Sequence, residues 1–220
     1  MSPPEILSDA ELLRRMLAGD ESAFTALFRR RQAGVYRFAL HMSGSEALAE
    51  DVVQEAFIAL MRDGRNFDPA RGSVAAYLYG IARNHVLRAF ERERALVPLA
   101  SGEGEGETGT PPDLVSADDP LGDLTRGEMI ENLRLAVLAL PAHYREVVVL
   151  CELRELSYVE AADALGCSVG TVRSRLHRAR AMLAAKLRER RRLEEAAREG
   201  GAEAAGGETQ RGLRTARCFA

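Results

Sequence analysis

The chain predicts an all-α fold: two small helical domains joined by a flexible acidic linker, the C-terminal one a helix-turn-helix. Three observations carry this. Apolar residues recur at helical spacing through residues 9–94 and again through 126–192, with no alternating strand pattern of useful length. Between them, SGEGEGETGTPPD is too rich in Gly, Glu, Thr and Pro to pack a core. Finally, LSYVEAADALGCSVGTVRSRLHRAR at 156–180 reads as a short helix, a tight turn at Gly166 and a second helix loaded with arginine. The expected boundaries are 1–95, a linker at 96–125, 126–192, and a tail at 193–220.

Composition narrows the class. The 220 residues are 46% hydrophobic and 5% aromatic, with no Trp, which suits Ala/Leu/Val-rich helices. No apolar run approaches the roughly 18–20 residues that span a bilayer. MSPPEILSDAELL lacks the basic patch and apolar core of a signal peptide, so a cytoplasmic protein without membrane insertion is expected. Cys151, Cys167 and Cys218 are odd in number and widely spaced, a pattern for neither disulfides nor zinc. Cys151 and Cys167 are expected as small buried residues in helices. No metal or cofactor is expected.

A net charge of -3 hides a strong segregation. Residues 1–95 are balanced, with 13 Arg against 13 acids, whereas 96–131 carry nine acids and one Arg. Residues 132–192 hold 12 Lys/Arg against six acids. The basic excess therefore travels with the helix-turn-helix, as contact with a phosphate backbone requires.

Taking the elements in order, residues 47–62 (ALAEDVVQEAFIALMR) form an amphipathic helix whose core face is Val52, Val53, Ala56, Phe57 and Leu60. Its other face presents Asp51, Gln54, Glu55, Ile58 and Arg62. An apolar Ile58 amid carboxylates and an amide marks a protein interface, since a solvated face has no use for it. Paired acids suit acid–base catalysis only beside a nucleophile, metal set or phosphate loop, and none is near. The chain is not expected to be an enzyme.

Asp68-Pro69 and Gly72 mark a loop, after which Ser73 caps a helix. Val74, Leu78, Ile81, Ala82 and His85 are expected inward. Arg83, Arg88, Arg92 and Arg94 give that helix basic character, and it also holds Tyr77, Tyr79 and Phe90. Basic groups interleaved with aromatics suit a single strand whose bases stack or flip out. VVVLC at 147–151 is β-prone alone but sits inside a helical repeat.

The second helix of the helix-turn-helix starts after Ser168, a good N-cap. Val172, Leu176, Ala179 and Leu183 recur at spacings of four, three and four and pack on the core. The opposite face presents Gly170, Ser174, His177, Arg178 and Ala181 to base edges. Arg173 and Arg180 flank one side and Arg175 the other, where a groove-bound helix meets phosphates. Arg178 suits bidentate contact to a guanine, and Ser174 bonds to several bases. Gly170 and Thr171 allow close approach to the DNA backbone. His177 suits a DNA contact rather than a metal, because no second ligand stands at i±3 or i±4. The tail extends this helix by a turn or two and is then expected to be disordered.

Together, DVVQEAFIALMR, the GSVAAYLYGIARN segment and LPAHYREVVVLCELRELSYVEAADALGCSVGTVRSRLHRAR resemble an extracytoplasmic-function (ECF) sigma factor over roughly 9–95 and 126–190. The resemblance implies a partner, bacterial core RNA polymerase, whose clamp helices meet Asp51, Gln54, Glu55 and Ile58. It implies that Phe67 and Asn84, with Arg83 and Arg88, hold a flipped base of the minus-ten element of promoter DNA. It implies that Thr171, Arg173, Ser174, Arg175, His177 and Arg178 read the minus-thirty-five element. It also implies an anti-sigma factor as inhibitory partner, and places the acidic linker near the polymerase active-site channel, as a nucleic-acid mimic or a plain spacer. Tyr77 stands where most members have Trp, which softens the packing under the melting loop. Two other classes compete: a regulator that binds duplex without joining polymerase, which leaves the Ile58 face idle, and an anti-sigma or adaptor protein, which leaves the arginine-rich helix unused.

Overall fold

Short polar side chains open the helices. Ser8 accepts from the Glu11 amide, Asp20 from those of Ser22 and Ala23, Ser45 from Leu48, Ser73 from Ala76, and Ser168 from Thr171. The computed structural model describes residues 7–70, 72–96 and 124–208. These form α1 (Asp9–Leu17), α2 (Glu21–Ser43), α3 (Glu46–Asp63), a 3₁₀ turn at Gly64–Asn66, and α4 (Val74–Leu96). After the linker come α5 (Leu124–Leu138), α6 (Ala142–Val148) running into a π-turn at Val149–Leu153, α7 (Tyr158–Leu165) and α8 (Val169–Glu208). No strand occurs among the described residues. The β-prone VVVLC segment is helical because Val147, Val148, Val149 and Leu150 are all buried within the C-terminal core.

In the N-terminal half, α2 is the spine. Phe38, Ala39 and Met42 are fully buried along it, and α3 and α4 pack on either side. Phe28 meets Phe57 edge-on at 4.8 Å, joining α2 to α3. Asp9 ties α1 to α2 through Arg30 at 2.8 Å and through Arg31.

The two helical halves share one continuous apolar core, beyond what a flexible linker alone conveys. Spacing shows that a face is buried but not which helix covers it. Here α7 packs on α4, and α5 on α2. Arg145 spans the junction. Arg145 is 4% exposed, and its guanidinium donates to the carbonyls of Leu138, Leu140 and Met42. The Leu138 and Met42 carbonyls lie in the last turns of α5 and α2, where helices leave acceptors unmet and carry negative partial charge, and Leu140 follows α5. Burial pushes the Arg145 pKa down to about 10. Arg145→Met, which strands these acceptors, is expected to cost about 3 kcal/mol in chemical denaturation.

Two sequence expectations are corrected. Tyr79, for its part, is core, 9% exposed and 5.5 Å from the Phe38 ring, as aromatic positions on helices more often are. Cys167 is half-buried in the turn after α7, outside any helix, and Cys151 is also only half-buried. Helical backbone continues to Glu208, well past the turn or two expected beyond 192, because Ala, Glu and Arg dominate 193–199 and outweigh the glycines that follow. The linker expected at 96–125 lies, but for its edges, outside the described residues, as do Cys218 and the tail from 209. No described helix is long and apolar enough to cross a membrane.

Candidate nucleic-acid interface

The helix-turn-helix is built by its caps. Ser157 and Glu160 form a reciprocal capping box that starts α7. The Ser157 hydroxyl, followed by its backbone amide and the Ser73 hydroxyl, holds the Glu160 carboxyl below its ordinary range. Ser157→Ala is expected to lower stability by about 1 kcal/mol in a urea melt. Gly166 ends α7 at φ 62°, a left-handed turn that glycine adopts without penalty. Ser168 then opens α8, its hydroxyl 2.9 Å from that of Thr171.

On α8, Val172, Leu176 and Ala179 are buried as expected, with Leu183 partly so. Ser174, His177 and Arg178 project together into solvent. Arg173 is exposed but leans over the Tyr158 ring at 5.8 Å. Arg180 pairs with Glu152. Arg175 departs from expectation: it is half-buried and reaches inward to Glu146 at 3.2 Å. Three residues after Val172 and four before Ala179, both buried, it borders the inward side of the helix.

The loop before α4 and α4 itself form a cleft of about 480 Å³. Phe67, Tyr77 and Asn84 line it. The Phe67 and Tyr77 rings stand 5.6 Å apart, and the Tyr77 hydroxyl donates to the Asp63 carbonyl at 3.4 Å. So Tyr77 holds Phe67 from beneath, with a smaller ring than Trp. Arg83 lies at the cleft but is not free, because its Nε donates to Glu146 at 2.6 Å. Arg88 is not brought to the cleft. It faces a separate groove with Asp51, Gln54 and Glu55 of α3. There Asp51, Gln54, Glu55 and Ile58 are all exposed along one face, Ile58 at 48%.

Sequence reading missed Glu146. It is 1% exposed, yet it receives both Arg83 and Arg175. One signal was present: an adjacent Arg–Glu pair entering the apolar run VVVL must find buried partners. The partners' positions, 63 and 29 residues away, were not readable.

Fold and site define an all-helical, two-part protein ending in a helix-turn-helix. Sigma-70 region 2 matches residues 27–96, and Sigma-70 region 4 matches residues 130–183. Relatives include the ECF RNA polymerase sigma factor SigW of Bacillus subtilis, 30% identical over 80% of this chain and 95% of that protein. The ECF RNA polymerase sigma-E factor of Haemophilus influenzae is 33% identical over 83% of this chain and 97% of its own length. SigE of Mycolicibacterium smegmatis is 35% identical over 75% of this chain, which spans 63% of that longer protein. The chain belongs to the ECF RNA polymerase sigma factors. Among solved structures, CnrH in complex with the cytosolic domain of CnrY is 27% identical over 82% of this chain and 97% of its own, with a TM-score of 0.60. The sigma factor RpoE of Bartonella quintana, in complex with the anti-sigma factor NepR, shares the fold at a TM-score of 0.53, with 22% identity over 75% of this chain and 96% of that one.

Proposed function

We propose that this protein binds bacterial core RNA polymerase and directs it to a promoter class of its own, with an anti-sigma partner holding it in check. Membership of the family supports this reading. The observation that carries it in this chain is the separation of three surfaces: the α3 face, the Phe67–Asn84 cleft and the exposed side of α8.

Each surface has its own task. Asp51, Gln54, Glu55 and Ile58 dock on the polymerase clamp. Ser174, His177 and Arg178 read minus-thirty-five base edges, while Arg173 and Thr171 meet phosphates. Phe67 and Asn84 take a flipped minus-ten base, with Arg83 on the backbone once released from Glu146. Arg88 belongs with the polymerase-facing groove rather than the cleft. Opening a few base pairs costs several kcal/mol, and a base seated in a pocket offsets part of it. Binding energy drives the melting.

Transcript sequencing after overexpression in the host tests this. The induced transcripts are expected to share two upstream elements near minus ten and minus thirty-five. Induced transcripts with a single shared duplex site at variable distance from the start would contradict it and favour a stand-alone regulator.

A further inference from the structure

We propose that Arg37, His41, Tyr79 and Arg154 form a binding site for a small phosphate-type oxyanion, free or carried on a small molecule.

The end of α6 sets up the site. Its buried apolar run at 147–150 continues into the π-turn at Val149–Leu153, a wide turn of a kind that recurs at functional sites. The turn packs against α2 and is closed by the Leu156 amide, which returns to the Leu150 carbonyl at 3.0 Å. Glu155 takes a φ of 57° there, the left-handed conformation that helix ends usually give to glycine. Backbone cost of this kind collects at ligand sites.

Arg154, at the end of this turn, carries the observation that points to a ligand. Its Nε is buried and, among the described residues, has no hydrogen-bond partner. Buried charges are costly unless paired and hydrogen-bonded. Yet no ion pair among the described residues engages Arg154 or Arg37.

Other donors gather round it. Gly34, Arg37 and His41 recur at helical spacing and share one stripe of α2. Gly34 lets the Tyr79 hydroxyl of α4 come close, since a Cβ at residue 34 would stand 2.9 Å from that oxygen. Burial raises the Tyr79 pKa, while the nearby charges of Arg154, Arg31 and Arg37 lower it. The His41 Nδ1 donates to the Arg37 carbonyl, which leaves Nε2 for a ligand. Burial holds the His41 imidazole below its ordinary range; the Arg37 carbonyl raises it, and the charges of Arg154, Arg134 and Arg37 lower it again.

Acids do not balance these cations. Asp9 is engaged by Arg31, Glu131 pairs with Arg134 at 2.7 Å, and Glu155, beside Arg154, is exposed. Arg145, bonded to the carbonyl of Met42 next to His41, adds further positive charge. A tetrahedral dianion matches the set, with forked donors from two arginines, a hydroxyl and a protonated imidazole. A small ion fits where a duplex does not, because Tyr79 is buried and His41 and Arg154 are half-buried between helices. Arg154 belongs to the C-terminal half and the other three to the N-terminal half. A bound oxyanion therefore neutralises cations that otherwise repel across the junction, and gives the chain a small-molecule input.

The full chain is titrated by calorimetry with sulfate, inorganic phosphate and glycerol phosphate, against chloride at matched ionic strength. Each oxyanion is expected to bind at one site and to raise the thermal midpoint, as a ligand of the native state does. Arg154→Gln and Arg37→Gln should each weaken binding about tenfold, the loss of a charge-assisted hydrogen bond, and Tyr79→Phe about threefold. Arg37 is exposed, so Arg37→Gln keeps the fold and decides the matter even if Arg154→Gln unfolds. Arg188→Gln, at an exposed arginine of α8, should change nothing. Sulfate does not titrate near neutrality and so isolates the proton on His41. The anion raises the His41 pKa, so binding is strongest below the free-state value and fades as pH rises through the bound one. Sulfate binding should therefore tighten between about pH 8 and pH 6, and stay flat in His41→Gln. Tighter binding of glycerol phosphate than of inorganic phosphate would support a phosphorylated small molecule as the source, and the reverse order the free ion. No binding above chloride, unchanged affinity in Arg37→Gln, or displacement of sulfate by a mixed-sequence duplex, which would make the cluster a DNA surface, would overturn the inference.

Discussion

Asp51→Arg combined with Glu55→Arg is expected to abolish association with core RNA polymerase while leaving the fold intact. Both side chains are exposed on α3, on the side opposite Val52, Val53, Ala56 and Phe57, so no core contact is lost. The change turns two negative charges into two positive ones at the centre of the proposed docking face, around the half-exposed Ile58. Like charges juxtaposed across an interface cost several kcal/mol. Affinity purification of core enzyme should therefore recover the unsubstituted chain and none of the double variant, with circular dichroism melts superimposing. Normal co-purification of the double variant would remove α3 from the docking assignment.

Arg178→Ala carries the second large effect. Arg178 is exposed one turn beyond Ser174 and beside His177, and among the described residues it makes no ion pair. Its neighbours differ: Arg175 is held by Glu146, and Arg180 by Glu152. Arg178 is thus the guanidinium best placed to fork onto a guanine. Losing such a bidentate contact costs about 1–3 kcal/mol at the contacted position. Competition binding should show relaxed preference at one base pair of the minus-thirty-five element, rather than uniform weakening. An unchanged ranking of promoter variants would rule out Arg178 as a base reader.

What sequence conveyed, and what it did not, follows from the physics of each signal. The starts of α4 and α8 were legible because the Ser73 and Ser168 caps act within three residues. The buried faces of α3 and α8 were legible because a period of 3.6 is local. The packing of α7 on α4, the Arg145 bridge to Met42 and the Glu146 pair were not. They join residues far apart along the chain, and nothing in a local pattern names the partner helix. Arg175 shows how the same limit affects a site. Placed on the flank of a wheel, it looked like a phosphate contact, yet a buried carboxylate on α6 draws it inward. Tyr79 left two readings open in sequence, stacking surface or core, and its contact with Phe38 decides for the core.

The most direct measurement is run-off transcription with purified core polymerase, this chain and fragments of host genomic DNA, with no other sigma subunit. Discrete start sites that share paired upstream elements are expected. Transcripts that appear only when a second sigma subunit is added would contradict it, leaving a protein that binds duplex DNA but does not initiate.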